Sequence, residues 1–205
     1  MVSNEEISVN KRNGRGKESL QIDKIHAMVG FATEGITGVS ASHVEMNSGI
    51  QLFDGISTAD IQQILIKSAN DLITLENPNY QYVAARLLLF SLRKQLFHRL
   101  WDHPKLIDHI KKLIDMGLYD KDILVNYDES EIDRMDMWID HERDYNFTYA
   151  GLRQVMDKYL VQDRSTGDIF ETPQFMYMMI SATLFAQYPK DKRMSYVKKY
   201  YDAVS

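Results

Sequence analysis

Cysteine is absent from this chain, which excludes disulfide cross-links, a thiolate zinc site and any thiol nucleophile. A chain so made is suited to a reducing cytosol. Positive charge is in deficit: 24 Lys and Arg against 29 Asp and Glu leave a net charge of −5. General affinity for nucleic acid needs a basic surface, so no nucleic-acid partner is expected. No apolar run approaches membrane-spanning length, and the opening "MVSNEEISV" lacks the apolar core of a signal peptide. No membrane partner and a cytoplasmic location are therefore expected. What remains is ordinary globular composition, 44% hydrophobic and 26% charged over 205 residues. That length allows one large domain or two small ones with a real core.

The pattern of apolar residues is mostly helical. "ISVNKR" and "ESLQI" alternate apolar and polar residues around "NGRG", which predicts a β-hairpin with a loop slightly longer than two residues. Asp23 is then placed to cap a helix carrying Ile25, Met28, Val29 and Ala32 on one face and ending near Gly35. A shorter helix is expected over "ASHVEMNSGIQLF". A capping box, "STAD" at Ser57 to Asp60, opens a third helix with Ile61, Ile64, Leu65 and Leu72 as its stripe. After the break at Asn77-Pro78, "YQYVAARLLLFSLRKQLF" is a fourth helix, apolar all round at Leu87 to Phe90 and so the buried centre of the first unit.

The second half repeats the logic. Pro104 stands at a first-turn position before the stripe Leu106, Ile107, Ile110, Leu113 and Ile114, with Gly117 as the stop. Asp128 with Glu131 caps "IDRMDMWI", and "TYAGLRQVMDKY" is a further amphipathic helix. "YLVQDRSTGDIFE" reads as a hairpin turning at "STGD". Thr172-Pro173 opens the apolar "QFMYMMISATLF", and a lysine-rich helix follows Pro189. The boundary between two units falls near "HRLWDHP", residues 98 to 104. Tyr80, Tyr82, Trp101, Trp138, Tyr149, Tyr159 and Tyr177 read as core and interface packing.

The stretch "VNKRNGRGKESLQIDKIHAMV", residues 9 to 29, sets cations and a lone Glu ahead of a helix. A solvated hairpin with a charged edge explains it most plainly. A P-loop fails on spacing, because Lys11 and Glu18 occupy the places of its first glycine and its Ser or Thr. A nucleotide site is the third reading: cations and a helix N-terminus suit a triphosphate, and a carboxylate can accept from an adenine amino group. His98, His103 and His109 are spaced 5 and 6 apart, unlike paired metal ligands on one helical face. "IDHERD", with charges of both signs, reads as a salt-bridged helix end rather than a metal site. Neither catalytic nor metal-ligating residues are assigned.

Read together and in order, "KRNG", "ES.QIDKI", "DGISTADIQQ", "NPNYQYVAARLLLFSLRK" and "YDKDIL" resemble the ATP-cone of the large (alpha) subunit of class I ribonucleotide reductase. "MDMWIDHERDYNFTYAGLRQ", "KYLVQDRSTGDIFETPQFMY" and "YPKDKRMSYVKKYYDAVS" resemble that subunit's N-terminal helical region. The resemblance implies a mainly α fold with small β-hairpins (α+β): an ATP-cone four-helix bundle capped by a small sheet over residues 1–100, then a helical domain over 101–205. It implies ATP or dATP as allosteric effector, with no other cofactor in this chain. By resemblance, Lys11, Arg12 and Lys94 would neutralise the triphosphate, and Glu18 would hydrogen-bond the adenine with Gln21 beside it. Ser19, Leu20, Ile22 and Asp23 complete the segment wrapping the base, Lys24 reaches ribose or phosphate, and Ile25 packs on the ring. Thr58 would contact phosphates, although it would serve as a helix cap whether or not a nucleotide binds.

Gln62 and Ser91 stand where inhibitable members of the family carry His, which implies a weakened response to dATP. The family's barrel and its active-site cysteines are missing, so this chain is expected to be inactive alone. The implied partners are the barrel-containing C-terminal part of the large subunit and the radical-generating small (beta) subunit. A stand-alone ATP-binding regulator or helical interaction module without a reductase partner is the alternative.

Overall fold

The computed structural model describes residues 8–10, 16–48 and 54–205, which form two compact units. The first comprises residues up to Ser91 together with Tyr145–Leu152; the second comprises Leu92–Asp144 and Arg153–Ser205.

In the first unit, β1 (Ser8–Asn10) pairs antiparallel with β2 (Lys17–Ser19), bringing Val9 opposite Glu18. The expected hairpin is present, but six residues connect its strands rather than a little over two. A third strand, β3 (Ile56–Ser57), pairs parallel with β1 on the other side, giving the order β2-β1-β3. Two residues show no alternation, so this strand was invisible as a pattern.

Four helices accompany the sheet: α1 (Ile22–Thr33), α2 (Ala41–Asn47), α3 (Thr58–Asp71) and α4 (Tyr80–Phe97). The cap of α1 is Gln21, in extended conformation, and not Asp23, which sits inside the first turn. An acidic residue there still complements the helix dipole. Helix α2 stops at Asn47, short of the expected range, whose last residues, 49–53, lie outside the described residues.

Apolar positions of α3 (Ile61, Leu65, Ile66, Ala69) are buried, as is the run Leu87 to Phe90 of α4. Two buried polar residues cross-link the helices. Gln62 donates from Nε2 to Leu87 O at 2.9 Å, and the Ser68 hydroxyl donates to Val44 O at 2.5 Å. Tyr145 belongs with this unit because its ring meets Phe90 edge-on at 6.2 Å and carries the Arg86 guanidinium 5.6 Å from its centroid.

The second unit contains α5 (Leu106–Asp115), α6 (Asp122–Asn126), α7 (Glu129–Trp138), α9 (Pro173–Phe185) and α10 (Lys190–Val204); α8 (Tyr149–Lys158) is divided between the units. Pro104 lies before α5 rather than in its first turn. The Leu106 N–H is instead satisfied by the Asp136 carboxylate of α7 at 2.8 Å. The capping box at Asp128 and Glu131 is formed as expected. Glu131 is also buried against Arg193 of α10, 2.5 Å away, whose guanidinium lies 4.4 Å from the centre of the Tyr127 ring. The second hairpin is reduced to one bridge, Gln162 with Ile169. Trp101 and Tyr159 are more than half exposed, so neither is core.

"IDHERD" is paired, as its mixed charge suggested, but its Asp144 is fully buried. The carboxylate accepts from Gln174 Nε2 at 2.9 Å and faces Arg93 at 3.5 Å. Arg93 also donates to His141 O at 2.6 Å, and Tyr201 donates to Gln174 Oε1 at 2.6 Å. Beside this network His103 and His141 stack at 3.7 Å, while His109 stacks on Phe175 at 4.3 Å. His103 Nε2, His109 Nε2 and His141 Nδ1 are inaccessible and have no hydrogen-bond partner among the described residues.

Burial pushes His103 and His109 down to about 4 and His141 to about 3, with the Arg93 charge adding to the effect at His103 and His141 and Lys112 at His109. The unfolded chain takes up protons near pH 6.5 that the folded histidines refuse. Their stabilisation is therefore complete above about 6.5 and lost as pH falls towards about 4. Asp144, pushed by burial up to about 6, acts in the opposite sense over part of that range. The histidines outnumber it, and His109 alone accounts for on the order of 3 kcal/mol. Denaturant unfolding at stepwise lower pH should show stability falling between 6.5 and 4, with a shallower fall in His109→Phe. Identical slopes for the two proteins would refute this account.

Candidate functional site

Strand β1 stands between the two segments singled out from the sequence. Glu18, half-buried on β2, pairs across Val9, and Val9 pairs on its other side with Ile56 of β3. Two inter-strand spacings put Glu18 about 10 Å from Ile56 along this row. Thr58 follows two residues on, as the first residue of α3. The sheet thus brings the Glu18 segment and the start of α3 to two sides of one strand. Lys11 and Arg12, directly after β1, lie outside the described residues.

From Ser19 to Lys24 every side chain is exposed or half-exposed, and Ile22 keeps about half its surface open to solvent. An apolar side chain left open, between Glu18 and Lys24 in the sequence, offers a surface for a flat ring. Ile25 turns inward instead, 9% exposed, on the buried face of α1 with Val29 and Ala32. Lys94 occupies the last turn of α4, in the part of that helix assigned to the second unit.

The residue capping α3 is Ser57 and not Thr58. The Ser57 hydroxyl accepts the Asp60 N–H at 3.0 Å and donates to the Asp60 carboxylate at 2.7 Å. Among the described residues the Thr58 hydroxyl has no hydrogen-bond partner, so its capping explanation falls away. The unused N–H groups of the first turn and the Thr58 hydroxyl together suit anionic oxygens. Gln62 is committed to Leu87 O and is 2% exposed, and Ser91 is 8% exposed; both are parts of the helix packing.

Sequence reasoning missed how β3 is held. Ser8 donates its N–H to Asp54 Oδ1 at 3.0 Å, and its hydroxyl donates to the same oxygen. Asn10 Nδ2 donates to Gly55 O at 2.6 Å. The Ser8 donors, aided by Lys17, hold the Asp54 carboxyl below the usual carboxylate range. The only signal in the sequence was the "DG" ahead of "ISTAD".

In the second unit a cavity of about 590 Å³ runs along α9, lined by Met179, Ile180, Leu184 and Tyr159, with Glu171 in its wall. Ile180 and Leu184 are 41% and 54% exposed. Glu171 accepts from the Tyr119 hydroxyl and from the Val161 N–H, and burial raises its carboxyl and pushes the Tyr119 phenol well up. Among the described residues no group of three or more His, Asp or Glu is placed to hold a metal ion.

A four-helix unit capped by a three-stranded sheet, with nucleotide-compatible groups around its central strand, is the build of an ATP cone, a module that binds ATP or dATP allosterically. Residues 7–95 match the family described as ATP cone domain, and residues 145–205 match the ribonucleotide reductase all-alpha domain. The chain is 48% identical over 202 residues to the ribonucleoside-diphosphate reductase subunit alpha of Haemophilus influenzae, covering 98% of this chain and 26% of that protein. The ribonucleoside-diphosphate reductase 1 subunit alpha of Escherichia coli is likewise 48% identical with the same coverage. The ribonucleoside-diphosphate reductase subunit alpha of Enterobacteria phage T4 is 42% identical over 199 residues, 97% of this chain and 26% of the phage protein. The chain belongs to the class I ribonucleotide reductase alpha-subunit family, to its ATP-cone region, and spans about a quarter of the length of these relatives.

The two hydroxyls at the start of α3 are separable by experiment. Ser57→Ala should destabilise the protein by about 1 kcal/mol, as loss of an N-cap does, whereas Thr58→Val should leave unfolding by denaturant nearly unchanged. Equal losses would return Thr58 to a capping role.

Proposed function

We propose that this chain is the allosteric portion of a reductase that converts ribonucleoside diphosphates to deoxyribonucleotides for DNA synthesis. Residues 1–100 form the ATP-cone, and residues 101–205 form the helical domain that meets the rest of the large subunit. The observation carrying this reading is the match of residues 7–95 to the cone, in a unit whose sheet sets Glu18 and the start of α3 on either side of β1. Glu18 accepts from the adenine amino group, with Ser19 to Lys24 around the base and Gln21 and Ile22 against its edge and face. Ile25 supports that segment from beneath. Lys11, Arg12 and Lys94 neutralise the triphosphate, and Thr58 hydrogen-bonds it.

A charge-assisted hydrogen bond contributes roughly 1.5–3 kcal/mol. Lys94→Ala should thus weaken ATP binding by about ten- to a hundredfold in titration calorimetry. Equal affinities would remove Lys94 from the site, and no heat with the unaltered chain would end the nucleotide reading.

Radical reduction of a ribose needs a hydrogen-abstracting thiyl and two reducing thiols, and this chain has no cysteine. Catalysis falls to a barrel-containing part of the large subunit, supplied with a radical by the small (beta) subunit, in the cytoplasm. The apolar stripe of α9 open at Ile180 and Leu184 supports docking of that part on the second unit. Assayed alone the chain should reduce no diphosphate; with the barrel-containing chain and the small subunit it should join an active enzyme and confer response to ATP. Turnover by the chain alone would overturn the assignment. Co-purification of neither protein would favour the alternative, a stand-alone regulator or helical interaction module without a reductase partner.

A further inference from the structure

We propose that Asp54 and Asn10 are positioning residues for the triphosphate end of the nucleotide site: they lock β3 onto β1 and thereby fix the first turn of α3. The proposal rests on the nucleotide reading of the first unit. Strand β3 contributes only two paired positions, Val9 with Ile56 and Asn10 with Ser57. So short a ladder specifies register weakly by itself.

Side chains supply what the ladder lacks. Asp54 takes both donors of Ser8, Gly55 donates its N–H to Ser8 O at 2.9 Å, and Asn10 Nδ2 holds Gly55 O. The Asp54–Gly55 pair is thus gripped from two positions of β1, Ser8 and Asn10. Gly55 has φ +86°, a left-handed conformation that an L side chain would strain. A Cβ there would meet Asn10 Nδ2 only at 3.7 Å, so backbone conformation and not space requires the glycine.

The grip reaches α3 without an intervening residue. Ser57 is at once the last residue of β3 and the cap of α3, and Thr58 is next. A slip of one residue would turn Ile56, 1% exposed, out of the core. It would also carry Thr58 about 3.3 Å along the strand, further than a hydrogen bond to a phosphate oxygen tolerates. Because Asp54 is exposed and its oxygen is committed to Ser8, it acts through the strand rather than on the ligand.

ATP and AMP affinities of the full chain, measured by competition against a fluorescent ATP analogue, test this. Asp54→Ala should weaken ATP about tenfold and leave AMP within about twofold, because only the outer phosphates depend on α3. Asp54→Asn keeps an oxygen acceptor for the Ser8 N–H and should restore most of the ATP affinity. If Asp54→Ala does not fold, as judged by circular dichroism, Asn10→Ala cuts the second tie alone and should show the same ATP-selective loss. Unchanged ATP affinity, or equal loss for ATP and AMP, would overturn the positioning role while leaving the nucleotide site standing. Absence of binding by the unaltered chain would overturn the nucleotide reading and this proposal with it.

Discussion

A helix with no polar face in its middle must be covered on every side, and α4 imposes that requirement on this chain. Its run Leu87 to Phe90 is buried all round. Covering it in the first unit involves α3, tied to α4 by the Gln62 amide on a main-chain carbonyl, and the short segment around Tyr145, drawn in from far along the sequence. At the other end of α4, Arg93 carries a charge into the second unit's interior. A buried guanidinium needs a carboxylate with its own hydrogen bonds satisfied, and Asp144 meets that need through Gln174, itself held by Tyr201.

How much of this could be read beforehand follows the range of the forces. Helix α4 was legible to the residue, because a long apolar run bounded by proline has few alternatives, and the box at Asp128 and Glu131 was legible because capping is local. Asp23 and Pro104 show the limit of local rules. Each is a residue type favoured near a helix start, yet the backbone turned two residues earlier in the first case, and a distant Asp136 took the capping work in the second. Strand β3, the Asp54 tie and the histidine stack depend on partners 38 to 47 positions away, and nothing in a local window encodes such a partner.

The nucleotide site divides in the same way. The chemistry proposed for it rests on a basic stretch, a lone glutamate and a helix start in the sequence, read through their ordered resemblance to the cone. The separation of roles at the start of α3 could not be read there. Serine and threonine both cap well, the sequence offered the box from Ser57 to Asp60 and Thr58 beside it, and geometry gives the cap to Ser57 alone. Gln62 is similar: from sequence it is a histidine replaced, and in the fold it is a bolt between two helices.

The coincidence of strand end and helix cap in Ser57 has a mechanical meaning. Most strands hand over to helices through a few loop residues that absorb small displacements as torsion. Here there is no slack. A ligand that pulls on the first turn of α3 pulls on the hydrogen bonds of β1 in the same movement, and whatever touches the exposed edge of the sheet feels that tension directly. A joint without play is what a lever needs if a few tenths of an ångström at one end are to arrive undiminished at the other.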